Sequence, residues 1–258
     1  MSTTPKTLIA GNWKMYKTEA EAVELASGLA ASLHDNLPAD REVLLLPAFT
    51  ALKAVAETIQ GRDRMLLGAQ NFYPSPEGAF TGEIAPFMLV DAGCTHALAG
   101  HSERRHVLKD SDRFIAQKTA FGLQSGLHMI LCIGETLDQR THGSVESVLK
   151  GQLRLGLAEV NKDEIAPENL SIAYEPVWAI GTGKVAQNED IIAAHDFIRK
   201  TLLEFFPHCG KNLRILYGGS VKADNAGAIL RLDNVNGVLV GGASLQVESF
   251  AAIATAAC

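Results

Sequence analysis

A glutamate stands directly after a short apolar run in Ala173-Tyr174-Glu175-Pro176-Val177-Trp178. A carboxylate that leaves a buried strand and enters a site is a candidate general base. His101, in Gly100-His101-Ser102-Glu103-Arg104-Arg105-His106, also follows an apolar run, and a neutral imidazole held there can hydrogen-bond a ligand oxygen. The plainer alternative for that segment is a helix start whose charged residues face water. Asn12 and Lys14 leave a third apolar run together, and an amide beside a lysine can bind an anion; a lone Lys14 would read as a solvated loop residue. Two glycine pairs, Gly218-Gly219 before Ser220 and Gly241-Gly242 before Ala243, let backbone N–H groups come close to a phosphate.

Behind Glu175 the chain carries Pro176 and Trp178 at one end, Gly181 and Gly183 in the middle and Lys184 at the other. That composition reads as a lid with stiff ends and a backbone tip able to approach a ligand. A simple connection would need neither Trp178 nor this length. Gly181-Thr182-Gly183-Lys184-Val185-Ala186 matches a dinucleotide fingerprint in letters only. The fingerprint belongs after a first strand, with an acidic residue ending a second strand about twenty residues on. Here it follows the sixth apolar run, and Glu204 falls inside a helical pattern. A P-loop fails too, because Lys184 is followed by Val185. His101 and His106 are five apart rather than the four that place two ligands on one helical face, so no metal site is expected, and no cofactor.

These residues need a scaffold that brings distant segments together. Short apolar or β-branched runs recur at Thr7–Asn12, Glu42–Leu46, Met65–Gln70, His96–Gly100, His128–Ile133, Leu170–Glu175, Arg214–Gly218 and Gly237–Gly241. Most are almost continuously apolar, as strands covered on both faces should be. Amphipathic stretches separate them. Glu19–Leu33 puts Ala22, Leu25, Ala26 and Leu29 on one face; Glu189–Phe206 does the same with Ile192, His195, Ile198 and Leu202; Ser244–Ala257 begins with a residue that can cap a helix. Eight such units predict a single-domain (β/α)8 TIM barrel over residues 1–258, with an open doubly wound sheet as the rival. In a barrel the chemistry sits at the C-terminal strand ends, where Asn12, Lys14, His101, Glu175, Ser220 and the last glycine pair fall.

The bulk properties agree with an ordinary globular chain. Of 258 residues, 47% are hydrophobic and 20% charged, and the formal net charge of −6 gives no basic footprint for nucleic acid or an anionic membrane. No apolar run approaches the roughly 20 residues that span a bilayer. The N-terminal residues show no charged-then-apolar secretory pattern. Cys94, Cys132, Cys209 and Cys258 are scattered without a C-x-x-C pair, which suits reduced thiols and a cytoplasmic location. One loop stands apart: Gln70–Gly82 is long, nearly uncharged and carries Phe72, Tyr73 and Phe80. It reads as an interface, or else as a loop folded against its own barrel.

Taken together, Gly11–Met15, Gly100–Arg105, Ala173–Lys184, Tyr217–Val221 and Gly241–Leu245 resemble the signatures of the triosephosphate isomerase family, in that family's order. The resemblance runs from Thr7 to near the C-terminus. It implies proton transfer between adjacent carbons of a triose phosphate, with Glu175 as base and His101 as the neutral group on the carbonyl oxygen. Lys14 would add positive charge, Asn12 would help bind substrate and Glu103 would orient the site through Lys14. Phosphate would rest on Gly181, Ser220, Gly241 and Gly242, and Tyr217 with Ser220 would latch the lid. A homodimer through the Gln70–Gly82 loop is implied as well. Ala48 after Pro47 and Phe72 after Asn71 depart from the family pattern at positions that touch no catalytic residue. Two other functions stay open: a different phosphate-binding barrel enzyme, an aldolase using Lys14 or an epimerase, and a noncatalytic binding protein on the same scaffold.

Overall fold

The computed structural model describes residues 5–179 and 186–257. Eight parallel strands close on themselves in chain order: β1 Thr7–Asn12, β2 Arg41–Leu46, β3 Met65–Ala69, β4 His96–Ala99, β5 His128–Ile133, β6 Leu170–Tyr174, β7 Arg214–Tyr217 and β8 Gly237–Val240. β1 pairs with β2 on one side (Ile9 opposite Val43) and with β8 on the other (Ile9 opposite Val238), which removes both sheet edges. Closure rules out the open doubly wound alternative. Between the strands lie α1 Glu19–Leu33, α2 Leu52–Thr58, α3 Pro86–Asp91, α4 Ser102–His106, α5 Asp112–Gln124, α6 Leu137–Thr141, α7 Val145–Gly156, α8 Asn188–Phe205, α9 Ala226–Leu230 and α10 Val247–Ala254.

The period of two in the strands sorts the core into two shells. Leu8, Ala10, Leu44, Leu46, Ile130 and Cys132 point into the barrel, with Leu98, Ala173, Leu216 and Leu239. Their neighbours Ile9, Val43, Leu45, Met129, Leu131 and Ile172 point outward and join the helix faces in a second cluster. In α1 the buried set includes Ala22, Leu25, Ala26 and Leu29, the face expected from the spacing. Thr18 caps that helix, and Glu21 reaches back to the Thr18 N–H at 2.7 Å.

Several boundaries differ from the sequence reading by one residue. β2 begins at Arg41, and β3, β4, β6, β7 and β8 each end one residue earlier than expected. The strands end where Gln70, Gly100, Glu175, Gly218 and Gly241 enter the loops, although the N–H groups of Glu175 and Gly218 still donate to the Ile133 and Tyr174 carbonyls of the neighbouring strands. The last helix is the larger correction. Residues Gly242–Leu245 form a 3₁₀ turn, α10 starts at Val247, and Gln246 occupies its N-cap. Ser244 does not cap it; its hydroxyl donates to the Gly241 carbonyl at 2.7 Å inside the turn.

Phe72, unusual beside Asn71, is fully buried. It sits against Gly122 of α5, where an added Cβ would come within 3.0 Å of the Phe72 ring and 2.2 Å of Met129 Sδ. The absence of a side chain at Gly122 is what accommodates the extra ring. Tyr73 then packs at a tilt against Phe80 (4.3 Å between centroids) and Phe114 of α5 (5.6 Å), so the base of the Gln70–Gly82 loop lies on its own barrel while residues 77–83 remain exposed.

Candidate active site

Glu175 follows β6 immediately. Its N–H extends the ladder by donating to the Ile133 carbonyl at 2.7 Å, and its side chain is buried. Both carboxylate oxygens are engaged. Oε2 accepts from the Ser102 N–H at 2.8 Å, the Ser102 hydroxyl lies 3.2 Å from Oε1, and His101 Nε2 lies 3.1 Å from Oε1. The strand beside it must be bare at this level: a Cβ on Gly134 would stand 1.7 Å from the Glu175 carbonyl oxygen. A Cβ on Gly218 would stand 2.9 Å from the Glu175 Cγ.

His101 is the N-cap of α4, and its Nδ1 accepts the Glu103 N–H at 3.3 Å. A ring nitrogen that accepts carries no proton, so this contact selects the tautomer with hydrogen on Nε2, the atom that faces Glu175. The imidazole can therefore donate from Nε2 to an oxygen placed in the site.

Lys14 adopts φ +52°, a left-handed conformation that costs a non-glycine residue about 1 kcal/mol or more. Its backbone is held there from both sides. Its N–H donates to Asn12 Oδ1 at 3.0 Å, and its carbonyl accepts from Gln70 Nε2 at 2.8 Å. The consequence is a side chain directed across the barrel mouth, with Nζ 2.7 Å from Glu103 Oε1. Gly241 makes room for it, since a Cβ there would lie 3.2 Å from Lys14 Cε.

A cavity of about 280 Å³ has Asn12, Lys14, His101, Glu175, Ser220, Gly241 and Gly242 in its wall. It suits a small ligand rather than a dinucleotide. Glu103 is not in that wall. It borders a neighbouring cavity of about 370 Å³, which shares Asn12, Lys14 and His101, and it meets the first cavity through Lys14. Gly181 and the rest of the expected lid tip lie outside the described residues. Tyr217, expected to latch that lid with Ser220, is fully buried, and its hydroxyl has no partner among the described residues. Among the described residues no group of three or more His, Cys, Asp or Glu converges as a metal site.

The sequence reading passed over Glu135, the first polar residue after β5 and its following glycine. Its side chain is fully buried, and one oxygen, Oε1, accepts from Trp178 Nε1 at 2.7 Å and Tyr174 OH at 3.1 Å, with Arg140 Nη1 at 3.1 Å. Burial, with Glu135 as the next cause, raises the Tyr174 phenol well above its usual range. The signal was available: a charged residue at a C-terminal strand end, as for Glu175 itself. Ser102, which holds Glu175 with both its N–H and its hydroxyl, reads from the sequence only as the start of a helix. Cys132 lies inside the barrel next to Glu175; burial first, then the Glu175 carboxylate, pushes its thiol well above the usual range.

Fold and site together define a (β/α)8-barrel protein with a carboxylate, an imidazole and a lysine around one small pocket at the C-terminal strand ends. A model of the triosephosphate isomerase family matches residues 7–257. The chain is 56% identical over 248 residues to a triosephosphate isomerase of Oleidesulfovibrio alaskensis, covering 96% of this chain and 98% of that one. It is 54% identical, with the same coverage, to one of Nitratidesulfovibrio vulgaris. A crystal structure of triosephosphate isomerase from Bartonella henselae superposes with a TM-score of 0.85 at 38% identity, covering 96% of this chain and 97% of that chain. The chain belongs to the triosephosphate isomerase family.

Proposed function

We propose that this protein interconverts dihydroxyacetone phosphate and D-glyceraldehyde 3-phosphate by proton transfer through an enediolate, with the whole chain acting as one domain. The observation that carries this reading is the convergence of Glu175, His101 and Lys14 on one cavity, with Glu175 Oε1 3.1 Å from His101 Nε2. Removing a proton beside a carbonyl requires a base close to the carbon and a donor for the charge that grows on oxygen. Glu175 takes the proton. To do so it exchanges its Ser102 contacts for the substrate carbon, a swing within the same cavity. His101 donates from Nε2 to the carbonyl oxygen and then to the enediolate. Lys14 places positive charge near the oxygens, steadied by Glu103, and Asn12 helps bind the substrate. The phosphate rests on backbone N–H groups of Ser220, Gly241 and Gly242, with Gly181 as a further donor by resemblance to the family.

Lys14 is ion-paired with Glu103 at 2.7 Å rather than offered as a free amine, which supports an isomerase over a Schiff-base aldolase. A coupled assay that follows glyceraldehyde 3-phosphate formed from dihydroxyacetone phosphate tests the reading. Turnover in the wild type and its loss in Glu175→Gln are expected. Absence of isomerisation together with a borohydride-trapped substrate on Lys14 would overturn it.

We further propose a homodimer that buries the exposed Met15, Tyr16, Val107 and Leu108 against the Gln70–Gly82 loop of a second copy. Met15 is 94% exposed and Leu108 60%, and both border the cavity that shares Asn12, Lys14 and His101, an unusual place for exposed apolar side chains. A monomer at micromolar concentration in the ultracentrifuge would contradict this. A cytoplasmic location is in keeping with the free thiols of Cys94, Cys132 and Cys209. Among the described residues no helix is long and apolar enough to cross a membrane.

A further inference from the structure

We propose that Arg140 is a positioning residue for the isomerisation: it ties the carboxylate that grips both sides of Glu175 to the first turn of α8. The inference rests on Glu175 being the base.

The Glu135 side chain holds the chain on both flanks of Glu175. Tyr174, one residue before it, donates its hydroxyl to Glu135 Oε1 at 3.1 Å, and Trp178, three residues after it, donates its indole N–H to the same oxygen at 2.7 Å. The backbone repeats the grip, because the Val177 N–H donates to the Glu135 carbonyl at 3.1 Å. A fully buried carboxylate needs a counter-charge, and among the described residues the cation within ion-pairing distance is Arg140, 3.1 Å from Oε1. The guanidinium also lies over the Trp178 ring, 4.7 Å from its centroid.

The far side of the same guanidinium pairs with Asp190 in the first turn of α8. The Asp190 carboxylate in turn accepts the Gln187 N–H at 3.2 Å. One side chain from α6 thus joins the chain that leaves β6, through Glu135 and Trp178, to the chain that enters α8, through Asp190 and Gln187. Arg140 touches no part of the cavity. Its effect reaches Glu175 through the position of Tyr174 and Trp178, and a base displaced by even an ångström loses much of its rate.

Removing Arg140 outright would strand the buried Glu135 charge, so the cleaner variants keep that pair. Asp190→Asn cuts the link to α8 while leaving Glu135–Arg140 intact and preserving an acceptor for Gln187. Arg140→Lys keeps the charge but cannot span both carboxylates with a planar fork. The expected result for each is a fall in kcat of about fivefold or more with KM within about twofold, a changed Trp178 fluorescence emission, and a Tm high enough that the protein is folded in the assay. The two changes combined should cost less than the product of the single losses, because both break one link. Native kcat in both variants, or losses that disappear when the assay is run well below Tm, would make Arg140 a purely structural residue and overturn the inference. Glu175→Asp measured alongside separates the two readings. If it too is fully active, the base assignment has failed; if it alone is impaired, only the role of Arg140 has.

Discussion

The two ends of the barrel carry similar residues and use them in opposite ways. At the N-terminal end His96, His128 and Arg214 open their strands, and each side chain pairs with another protein group. The His96 and His128 rings stack at 4.5 Å. His128 donates from Nδ1 to the Glu168 carbonyl and accepts at Nε2 from Ser171, both at 2.8 Å. Arg214 pairs with Glu42 at 3.1 Å, and Arg41 spans to the carbonyls of Ala254 and Ala256, clamping β2 to the C-terminal end of α10 and the residues after it. At the C-terminal end the side chains border an open cavity, Lys14 holds a left-handed backbone, and Glu175 is parked on Ser102. The lesson is that charge and imidazole do not mark a site by themselves. What distinguishes the two ends is whether the polar atoms face one another or face a space where a ligand can sit.

Four substitutions sharpen that contrast. Glu175→Asp, which draws the carboxylate back by about 1 Å, should lower kcat about a hundredfold or more with Tm nearly unchanged, read by steady-state kinetics and thermal melting. Native turnover in that variant would remove Glu175 as base. His101→Gln should reduce kcat by about tenfold or more and affect KM much less, because on the proposed role its hydrogen bond would strengthen as charge develops on oxygen. A change confined to KM would make His101 a binding residue only.

The opposite end should respond in stability rather than rate. Arg214→Ala leaves Glu42, among the described residues, with Lys6 at 3.8 Å as its ion-pair partner, and should cost about 2–3 kcal/mol, a Tm drop of roughly 5–10 °C, with native kcat. A large loss of kcat in a folded Arg214→Ala protein would blur the distinction between the ends. The fourth effect appears only in acid. Burial first, with help from Arg214, holds the folded His128 pKa at about 4, below the 6.5 of an unfolded histidine. Between those values the unfolded chain binds the extra proton. The stability His128 contributes is therefore complete above pH 6.5 and is lost as pH falls toward 4, up to roughly 3 kcal/mol. His195, held at about 4 mainly by burial, acts in the same direction in the outer shell. The Tm of His128→Gln should consequently decline less steeply than wild type from pH 6.5 to 4, while activity near neutrality stays native. Parallel Tm curves would show that His128 charges freely in the folded state.

The sequence made the barrel legible because its strands are buried on both faces and so read as apolar runs with clear ends. The errors lie where chain direction depends on neighbours. β6 ends at Tyr174 and the Glu175 side chain goes to Ser102 on another segment, and Ser244 is drawn into the Gly242–Leu245 turn by the Gly241 carbonyl. Asn12, Lys14, His101 and Glu175 could be picked out because each is a polar residue just beyond an apolar run. Glu135 satisfies the same rule, yet its meaning depends on Tyr174 and Trp178, which lie 39 and 43 residues further along. Nor does any local pattern announce that Arg140 would bridge to Asp190, 50 residues on. Those pairings arise only when β5, β6 and α8 come together.

The most direct test of the central claim is a crystal structure of the protein with dihydroxyacetone phosphate bound. The carbons should lie between Glu175 and His101, with the Glu175 carboxylate turned away from Ser102, His101 Nε2 on the carbonyl oxygen, and phosphate on the N–H groups of Ser220 and Gly242. A ligand seated elsewhere, or one in this cavity with Glu175 still held by Ser102 and beyond reach of the carbons, would contradict the account.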